Sequence, residues 1–274
     1  SMHIRRFPKR SLKRASTRSA GFSTPDDDAG LTEPSAEREL WIARLGRMGY
    51  QEALEFQRSV ARSRITGDIP QDVLLLVEHQ PVLTLGRLTK GKNLISSPEF
   101  LATKGIEVFE VERGGDVTFH GPGQLVGYPI IDLKRHRRDL HWYLRAVEEA
   151  IIVALADFGI CGERSTGFTG VWTNGRKIAS IGVHARDWVT WHGFALNVAT
   201  DLTYFDLIVP CGIDGVEMTS VQKEISLRDG GEPPSIEEVE NAAAKSFARI
   251  FDLSPIEVDP MTQLNLATGF QGTA

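Results

Sequence analysis

The sequence is poor in cysteine and contains no long hydrophobic run. Its 274 residues include two cysteines, Cys161 and Cys211, too few for a disulfide scaffold, and neither belongs to a Cys-x-x-Cys pair or a Cys/His cluster typical of structural zinc. The longest candidate for a membrane helix, residues 150–156, is far shorter than the ~20 apolar residues that a membrane span needs. We therefore expect no metal, no membrane contact and a compartment in which thiols stay reduced.

Acidic side chains are absent from residues 1–24, where seven basic ones occur: Arg5, Arg6, Lys9, Arg10, Lys13, Arg14 and Arg18. Because the whole chain has a formal charge of −5, the remaining 250 residues carry −12, and so acidic a body disfavours binding to nucleic acid. Residues 1–37 are polar, so we expect a disordered N-terminal extension. An acid-free start rich in Arg and Ser is also typical of a mitochondrial transit peptide, which makes a mitochondrial location the alternative to the cytoplasm.

Hydrophobic periodicity predicts the secondary structure of the rest of the chain. Strands are expected at residues 40–45, 73–77, 106–111, 125–133, 170–173, 176–179 and 188–198, and helices at 50–64, 141–158 and 235–251. Asn174-Gly175 predicts a hairpin with a type I′ turn, because both turn residues need positive φ. Since no long linker interrupts the pattern, we predict one α+β domain over residues 38–258, with a mostly antiparallel central sheet flanked by helices, and a C-terminal tail over 259–274.

The most unusual stretch is rich in glycine and follows a predicted strand. Residues 113–124 read RGGDVTFHGPGQ, with four glycines and one proline. Glycines let a backbone approach a ligand closely, and Thr118 and His120 offer polar ends. The stretch is neither a dinucleotide fingerprint nor a phosphate-binding P-loop, and a plain tight turn between two strands is the alternative.

Two residues are candidates for a nucleophile and its activator. Cys211 lies in the sequence IVPCGI, where Pro and Gly predict a turn, although a free cysteine is more often an inert core residue. A thiol is mostly protonated at pH 7, so a working nucleophile needs a nearby cation or base. Lys177 could be this partner because it interrupts an apolar strand, and it could equally be a solvent-facing lysine next to the turn.

Two further features have a plain structural interpretation. His192 is expected to be a half-buried strand histidine. The run KRHRR at residues 134–138 is normally a solvated face, but in an acidic protein this local basic patch could meet an acidic partner.

Together these stretches resemble the lipoyl(octanoyl) transferase family, which belongs to the same superfamily as the lipoate- and biotin-protein ligases. The resemblance spans roughly residues 40–225. It comprises EHQPVLTLGR at 78–87, the glycine-rich stretch at 113–124, GVW at 170–172, KIASIG at 177–182, HGFALN at 192–197 and PCG at 210–212, in the family's order.

The resemblance implies a biotin/lipoate ligase-like fold and an octanoyl transfer that needs no cofactor. The donor would be octanoyl-acyl carrier protein, and the acceptors would be lysines in the lipoyl domains of 2-oxoacid dehydrogenases and in the glycine cleavage H protein. Carried over by position, Cys211 would be the acyl-thioester nucleophile, and Lys177 would favour its thiolate and move protons. The acyl site would comprise Arg113, Gly114, Gly115, Asp116, Val117, Thr118, Phe119 and His120, then Ser180, Ile181 and Gly182, then Gly193, Phe194 and Ala195.

This assignment is chemically consistent. A thiolate that attacks a thioester exchanges one thioester for another at little cost, so no nucleotide is required. His120 could hydrogen-bond the acyl carbonyl or orient Lys177. One alternative is an ATP-dependent lipoate-protein ligase, which would need a nucleotide site that Asp116 suits poorly and no catalytic cysteine. The other is a non-catalytic module that binds acyl carrier protein, which the presence of both Cys211 and Lys177 disfavours.

Overall fold

Alternating and continuous apolar runs form ten strands in the part of the chain that the structure describes. The computed structural model describes residues 38–89, 93–212 and 215–269, so the predicted extension at 1–37 and the end of the predicted tail at 270–274 lie outside the described residues. The strands are β1 Glu39–Arg47, β2 Asp72–Glu78, β3 Val82–Leu85, β4 Glu107–Glu110, β5 Val117–His120, β6 Gln124–Ile130, β7 Gly170–Thr173, β8 Arg176–Arg186, β9 Val189–Asn197 and β10 Ser254–Glu257.

These strands form one large and one small sheet. The large sheet has seven strands in the order β10-β1-β2-β6-β9-β8-β7. Four of its six pairings are antiparallel, and the two parallel ones join β1 to β2 and to β10. The prediction of a mostly antiparallel sheet is therefore confirmed. In the small sheet, β3 runs parallel to β4 and antiparallel to β5.

Helices cover both faces of the large sheet. They are α1 Tyr50–Thr66, α2 Pro98–Thr103, α3 Leu140–Ala156, α4 Val221–Arg228, α5 Ile236–Phe251 and α6 Asn265–Thr268. The continuous apolar run of β2 places apolar side chains on both faces of the large sheet, because successive side chains of a strand point to opposite sides. Leu74 and Leu76 pack in the cluster of α3 and α5, and Val73, Leu75 and Val77 pack in the cluster of α1. None of the described helices has the length and apolarity to cross a membrane.

Local sequence signals determine where several elements begin and turn. The side chain of Asp139 accepts hydrogen bonds from the first N–H groups of α3. Ser235 and Glu238 form a capping box at the start of α5, as their spacing predicts. Asn174 and Gly175 have φ of +49° and +78°, which confirms the predicted type I′ turn between β7 and β8.

The elements that periodicity did not predict are short. Strands β3, β5 and β10 have four residues each, and helices α2, α4 and α6 have eight or fewer, so none is long enough to show a helical stripe or sustained alternation. The strand expected at 106–111 is β4, whose residues are mostly exposed rather than half-buried. Beyond residue 258, Leu264 is fully buried in the cluster of α1, so this part of the predicted tail contributes to the core.

Candidate active site

A cavity of about 430 Å³ lies between the large sheet and the small sheet. Its floor is formed by β8 and β9, where Ser180 pairs with Ala195 and Gly182 pairs with Gly193. Paired residues of neighbouring strands lie on the same face of a sheet, so these four small residues form one continuous patch. A Cβ added at Gly193 would collide with the carbonyl oxygen of Gly127, so the small size of this residue permits a close approach of backbone.

The glycine-rich loop lies directly on this floor. The N–H of Gly114 donates to the carbonyl of Val183 over 2.8 Å. A Cβ added at Gly182 would lie 2.7 Å from the carbonyl oxygen of Gly114, so only a residue without a side chain permits this approach. Gly114 and Gly115 both line the cavity, and Ile181 and Phe194 border it next to the floor.

Strand β5 forms the opposite wall and shows strict alternation. Thr118 and His120 face the cavity. Val117 and Phe119 pack on the other side of the strand in a hydrophobic cluster that includes Leu83. The resemblance implies that all of residues 113–120 belong to the acyl site, but the strand geometry leaves Val117 and Phe119 out of its lining.

Two buried charged residues hold the loop before β5. Arg113 Nη2 donates to the carbonyl oxygen and to Oγ1 of Thr84, over 2.7 and 2.8 Å. Asp116 accepts hydrogen bonds from the N–H of Val117 at 2.7 Å and from Asn93 Nδ2 at 2.5 Å. Both side chains also line the cavity, so the loop presents a fixed polar wall.

Cys211 lies in the 3-10 turn Pro210–Gly212. Gly212 lines the cavity, and a Cβ added to it would lie 2.5 Å from Asp116 Oδ2. The turn that contains Cys211 is thus in direct contact with the glycine-rich loop, although about 95 residues separate the two in sequence.

Lys177 lies at the start of β8 and is 0% exposed, so the alternative of a solvent-facing lysine is wrong. Its Nζ lies 4.9 Å from the centre of the Trp172 ring. Gly170 has φ of +143°, and a Cβ there would lie 2.8 Å from Lys177 Cε. The lysine side chain therefore passes β7 at a residue that has no side chain. Lysine is rarely buried this completely, because desolvation opposes its charge.

Two neighbouring buried histidines, His120 in the cavity lining and His79 behind it, are neutral at physiological pH. Burial lowers the pKa of His120 to about 3, and the neighbouring His79 adds to this effect. Burial also lowers the pKa of His79 to about 4, against a hydrogen bond to the carbonyl of Met48. The ring of Tyr50 stacks on His120 with ring centres 5.9 Å apart. The imidazole rings of His120 and His79 are therefore uncharged during any proton transfer in the cavity.

His192 is a strand histidine, as expected, but it is fully buried and borders the cavity. Its φ of +56° is rare for a residue with a side chain and is of the kind that clusters at functional sites. Burial lowers the pKa of His192, and its Nε2 lies 3.5 Å from Glu112 Oε1, too far for a strong hydrogen bond.

Sequence reasoning missed cavity residues from α1, β6 and α3: Tyr50, Val126, Tyr128, Leu140 and Leu144. In the sequence they match ordinary core or amphipathic positions, and Leu140 and Leu144 belong to the apolar stripe of α3. Only the sheet topology places them beside the cavity, so no local signal could have identified them.

Solved structures with this fold are lipoate-protein ligases. Lipoate-protein ligase A bound with ATP superposes with a TM-score of 0.69 at 18% identity, over 84% of this chain and 93% of that one. A putative lipoate protein ligase from T. acidophilum superposes with a TM-score of 0.67 at 17% identity, over 84% of this chain and 92% of that one. At this identity the similarity defines the fold, which is lipoate ligase-like.

The chain belongs to the lipoyl protein ligase A/B catalytic domain family, whose model matches residues 49–248. It is 50% identical over 226 residues to the octanoyltransferase of Acidobacterium capsulatum, covering 77% of this chain and 90% of that protein. It is 49% identical over 206 residues to the octanoyltransferase of Gloeobacter violaceus, covering 75% and 87%. The family resemblance in the sequence motifs is therefore confirmed over most of the chain.

Proposed function

We propose that the protein is an octanoyltransferase that moves an octanoyl group from acyl carrier protein to a lysine of a lipoyl domain, through a thioester on Cys211. The observation that supports this best is the shared cavity. The buried Lys177, the glycine-rich loop and Gly212 of the Cys211 turn all border it. A cysteine in a turn beside the cavity and a buried amine in its lining suit acyl transfer through a covalent intermediate.

In the first step, the Cys211 thiolate attacks the carbonyl of the donor thioester. A new carbon–sulfur bond forms, and the carrier thiolate leaves with a proton from Lys177. In the second step, the acceptor lysine amine attacks the octanoyl carbonyl, the Cys211 thiolate leaves, and Lys177 takes up the proton that the amine loses. The product is an amide, which is more stable than a thioester, so the sequence of steps needs no nucleotide.

The cavity also suits an apolar acyl chain. Ser180, Gly182, Gly193 and Ala195 leave a smooth floor beside the side chains of α3 and β6. Burying about seven methylene and methyl groups at ~0.8 kcal/mol each provides about 5 kcal/mol, enough to favour an eight-carbon chain over much shorter ones.

We propose that the basic residues 134–138 dock the acidic carrier protein. The segment directly precedes α3, whose Leu140 and Leu144 line the cavity. All four basic side chains are exposed; Lys134 lies 3.6 Å from Asp132, Arg135 donates to the carbonyl of Pro70, and Arg137 lies 3.4 Å from Asp139. Arg137 and Arg138 come directly before α3 in the sequence, so we choose them as the residues to meet a partner at the cavity entrance.

Charge reversal tests this docking. The double substitution of Arg137→Glu and Arg138→Glu should raise KM for octanoyl-acyl carrier protein about tenfold at low salt, with the effect shrinking as salt screens it. Arg62→Glu, at the exposed end of α1, is the control and should leave KM unchanged. An unchanged KM in the double variant would remove the docking proposal.

The covalent step is tested by intact mass after incubation with octanoyl-acyl carrier protein and no ATP. We expect an octanoyl adduct that hydroxylamine removes and that Cys211→Ala abolishes together with turnover. Cys161→Ala is the matched control, because Cys161 is an exposed free cysteine, and it should keep both.

Two other results would change the assignment. Acylation of a lipoyl domain that requires ATP and survives Cys211→Ala would establish the ligase mechanism. Capture of the carrier protein without turnover, unaffected by Cys211→Ala, would establish a binding module.

The acceptor lysines are proposed to be those of 2-oxoacid dehydrogenase lipoyl domains and of the glycine cleavage H protein. We propose the cytoplasm as the site of action, because the similar octanoyltransferases come from bacteria, with mitochondria as the alternative if residues 1–37 target that organelle. Residues 1–37 are proposed to be dispensable for catalysis.

A further inference from the structure

Buried polar side chains connect the glycine-rich loop to the large sheet through continuous hydrogen bonds. Arg113 Nη2 donates to Thr84 Oγ1 over 2.8 Å, and this hydroxyl faces His120 Nε2 at 3.4 Å. His120 Nδ1 lies 2.9 Å from Gln124 Oε1. Gln124 Nε2 then donates to Asn197 Oδ1 over 2.9 Å. Gln124 and Asn197 belong to the family motifs, but the reaction steps above leave them unused.

The chain of hydrogen bonds ends on the strand of Lys177. Asn197 Nδ2 donates to the carbonyl of Thr219 over 3.0 Å. The N–H of Thr219 donates to the carbonyl of Lys177 at 2.9 Å, and the N–H of Lys177 donates to the carbonyl of Glu217 at 2.8 Å. Glu217 and Thr219 follow Cys211 in the chain. The hydrogen bond from Asn197 to Thr219 therefore holds the segment after Cys211 beside Lys177.

These hydrogen bonds can run in one direction only. Arg113 has no acceptor, and the carbonyl of Thr219 has no donor. Gln124 Nε2 also donates to the carbonyl of Phe119 at 3.1 Å, which leaves Gln124 Oε1 to accept from His120 Nδ1. These contacts place a proton on Nδ1 of His120, and because burial keeps the ring neutral, its Nε2 is an acceptor. A hydrogen bond from Nε2 to an acyl carbonyl, one of the roles left open by the sequence, would need the other tautomer.

We propose that Gln124 and Asn197 are positioning residues of the acyl-transfer site, an inference that rests on the proposed function. Gln124 fixes the tautomer of His120, and Asn197 fixes the segment after Cys211 against the strand of Lys177. Each is 1% exposed and acts through the residues that it holds. Because a displacement of about 1 Å between reacting groups can cost roughly 100-fold in rate, losing these hydrogen bonds affects the chemical step more than binding.

The tautomer is measured directly by long-range ¹H–¹⁵N correlation spectra of protein labelled with ¹⁵N at histidine. The His120 signal, assigned by its loss in His120→Gln, should show a proton on Nδ1 at neutral pH. Gln124→Leu removes the acceptor and should give a mixture of tautomers. A proton on Nε2, or a charged ring, in the unmodified protein would overturn the assigned direction of the chain.

The positioning role is measured by acylation kinetics. Asn197→Asp keeps the side-chain size but removes the donor to Thr219. We expect the rate constant for acylation of Cys211 to fall about 30- to 100-fold, while KM for octanoyl-acyl carrier protein changes less than about threefold. Asn241→Asp is the matched control, because Asn241 uses its oxygen to accept from Arg44 and an aspartate keeps that acceptor. Its acylation rate should stay unchanged.

The outcomes separate the possible explanations. If Asn197→Asp acylates at the normal rate while folded, or loses rate only in proportion to unfolded protein, the positioning role is refuted. If the unmodified protein forms no acyl-enzyme, the proposed function fails and the positioning role fails with it, whereas the tautomer of His120 is decided by the spectra alone.

Discussion

The two faces of strand β9 differ in side-chain size. Phe194 and Leu196 belong to the hydrophobic cluster of α3 and α5, and the Phe194 ring lies 5.2 Å from that of Phe247. Gly193 and Ala195, one residue away along the same strand, form part of the cavity floor. One face therefore carries large side chains, of which Phe194 also borders the cavity, and the other carries small residues that border both the cavity and the cluster of α1.

Within a single strand of this fold, some positions therefore contribute mainly to stability and their neighbours contribute mainly to the site. The helix-facing side chains bury apolar area against α3 and α5. The cavity-facing positions give up that burial, and buried polar groups such as Lys177 and Ser180 lie among them. Substitutions at neighbouring positions should therefore affect different measurements.

The largest effects are expected from two substitutions on β9, one that removes a large packed side chain and one that adds a large side chain at the cavity. Leu196→Ala should lower the free energy of unfolding by about 2–5 kcal/mol, because Leu196 packs in the cluster of α3 and α5 and does not line the cavity, and leave kcat/KM of the folded enzyme nearly intact. Ala195→Leu should lower kcat/KM for octanoyl-acyl carrier protein about 100-fold, because the added side chain occupies the cavity, and should also lower the melting temperature, because Ala195 packs in the cluster of α1. Thermal unfolding and steady-state kinetics of both variants check this.

The opposite pattern would break the comparison. If Ala195→Leu kept full activity, the floor of the cavity would not be where the acyl chain binds. If Leu196→Ala were stable but inactive, the side of β9 that packs on α3 and α5 would contribute more to the site than Phe194 alone.

A smaller effect is expected where β7 passes Lys177. Gly170→Ala places a Cβ 2.7 Å from the carbonyl oxygen of Ala179 and 2.8 Å from Lys177 Cε, so both the lysine and the pairing of β7 with β8 must shift, and we expect the acylation rate to fall about tenfold. Gly105→Ala is the matched control, because Gly105 also has a positive φ, of +67°, but no atom lies within 4 Å of the added Cβ. It should cost about 1 kcal/mol of stability and no activity. Equal rate losses in both variants would assign the effect to backbone strain rather than to Lys177.

The sequence predicts which segments contribute to this site better than it predicts how their side chains are oriented and brought together. Motif positions predict the loop, Lys177 and the small residues of β8 and β9, because close backbone approaches require glycine at fixed places. The motif does not show that Val117 and Phe119 pack away from the cavity, because it does not indicate which way a four-residue strand faces. Tyr128 was missed, because a buried strand tyrosine has no local mark of function. His192 lies two residues before Phe194, and both border the cavity. Nothing in the sequence indicates the positive φ of His192.

The smallest effect concerns the buried histidines on the cavity side, which have no counterpart in the apolar cluster of α3 and α5. His79 and His120 have pKa values lowered by burial to about 4 and about 3, below the ordinary 6.5. Between these values the unfolded chain binds protons that the folded protein does not. Stability should therefore rise with pH in this window, and be lost as pH falls from about 6.5, by about 1.4 kcal/mol per pH unit for each histidine.

Urea unfolding measured between about pH 6.5 and pH 5 checks this, since carboxylates with ordinary pKa values titrate mainly below that window. His79→Phe should make the slope of unfolding free energy against pH shallower by one histidine's share, whatever it does to absolute stability. A slope unaffected by His79→Phe, or stability that increases as pH falls, would mean that His79 is charged inside the folded protein, and the neutral cavity wall would have to be abandoned.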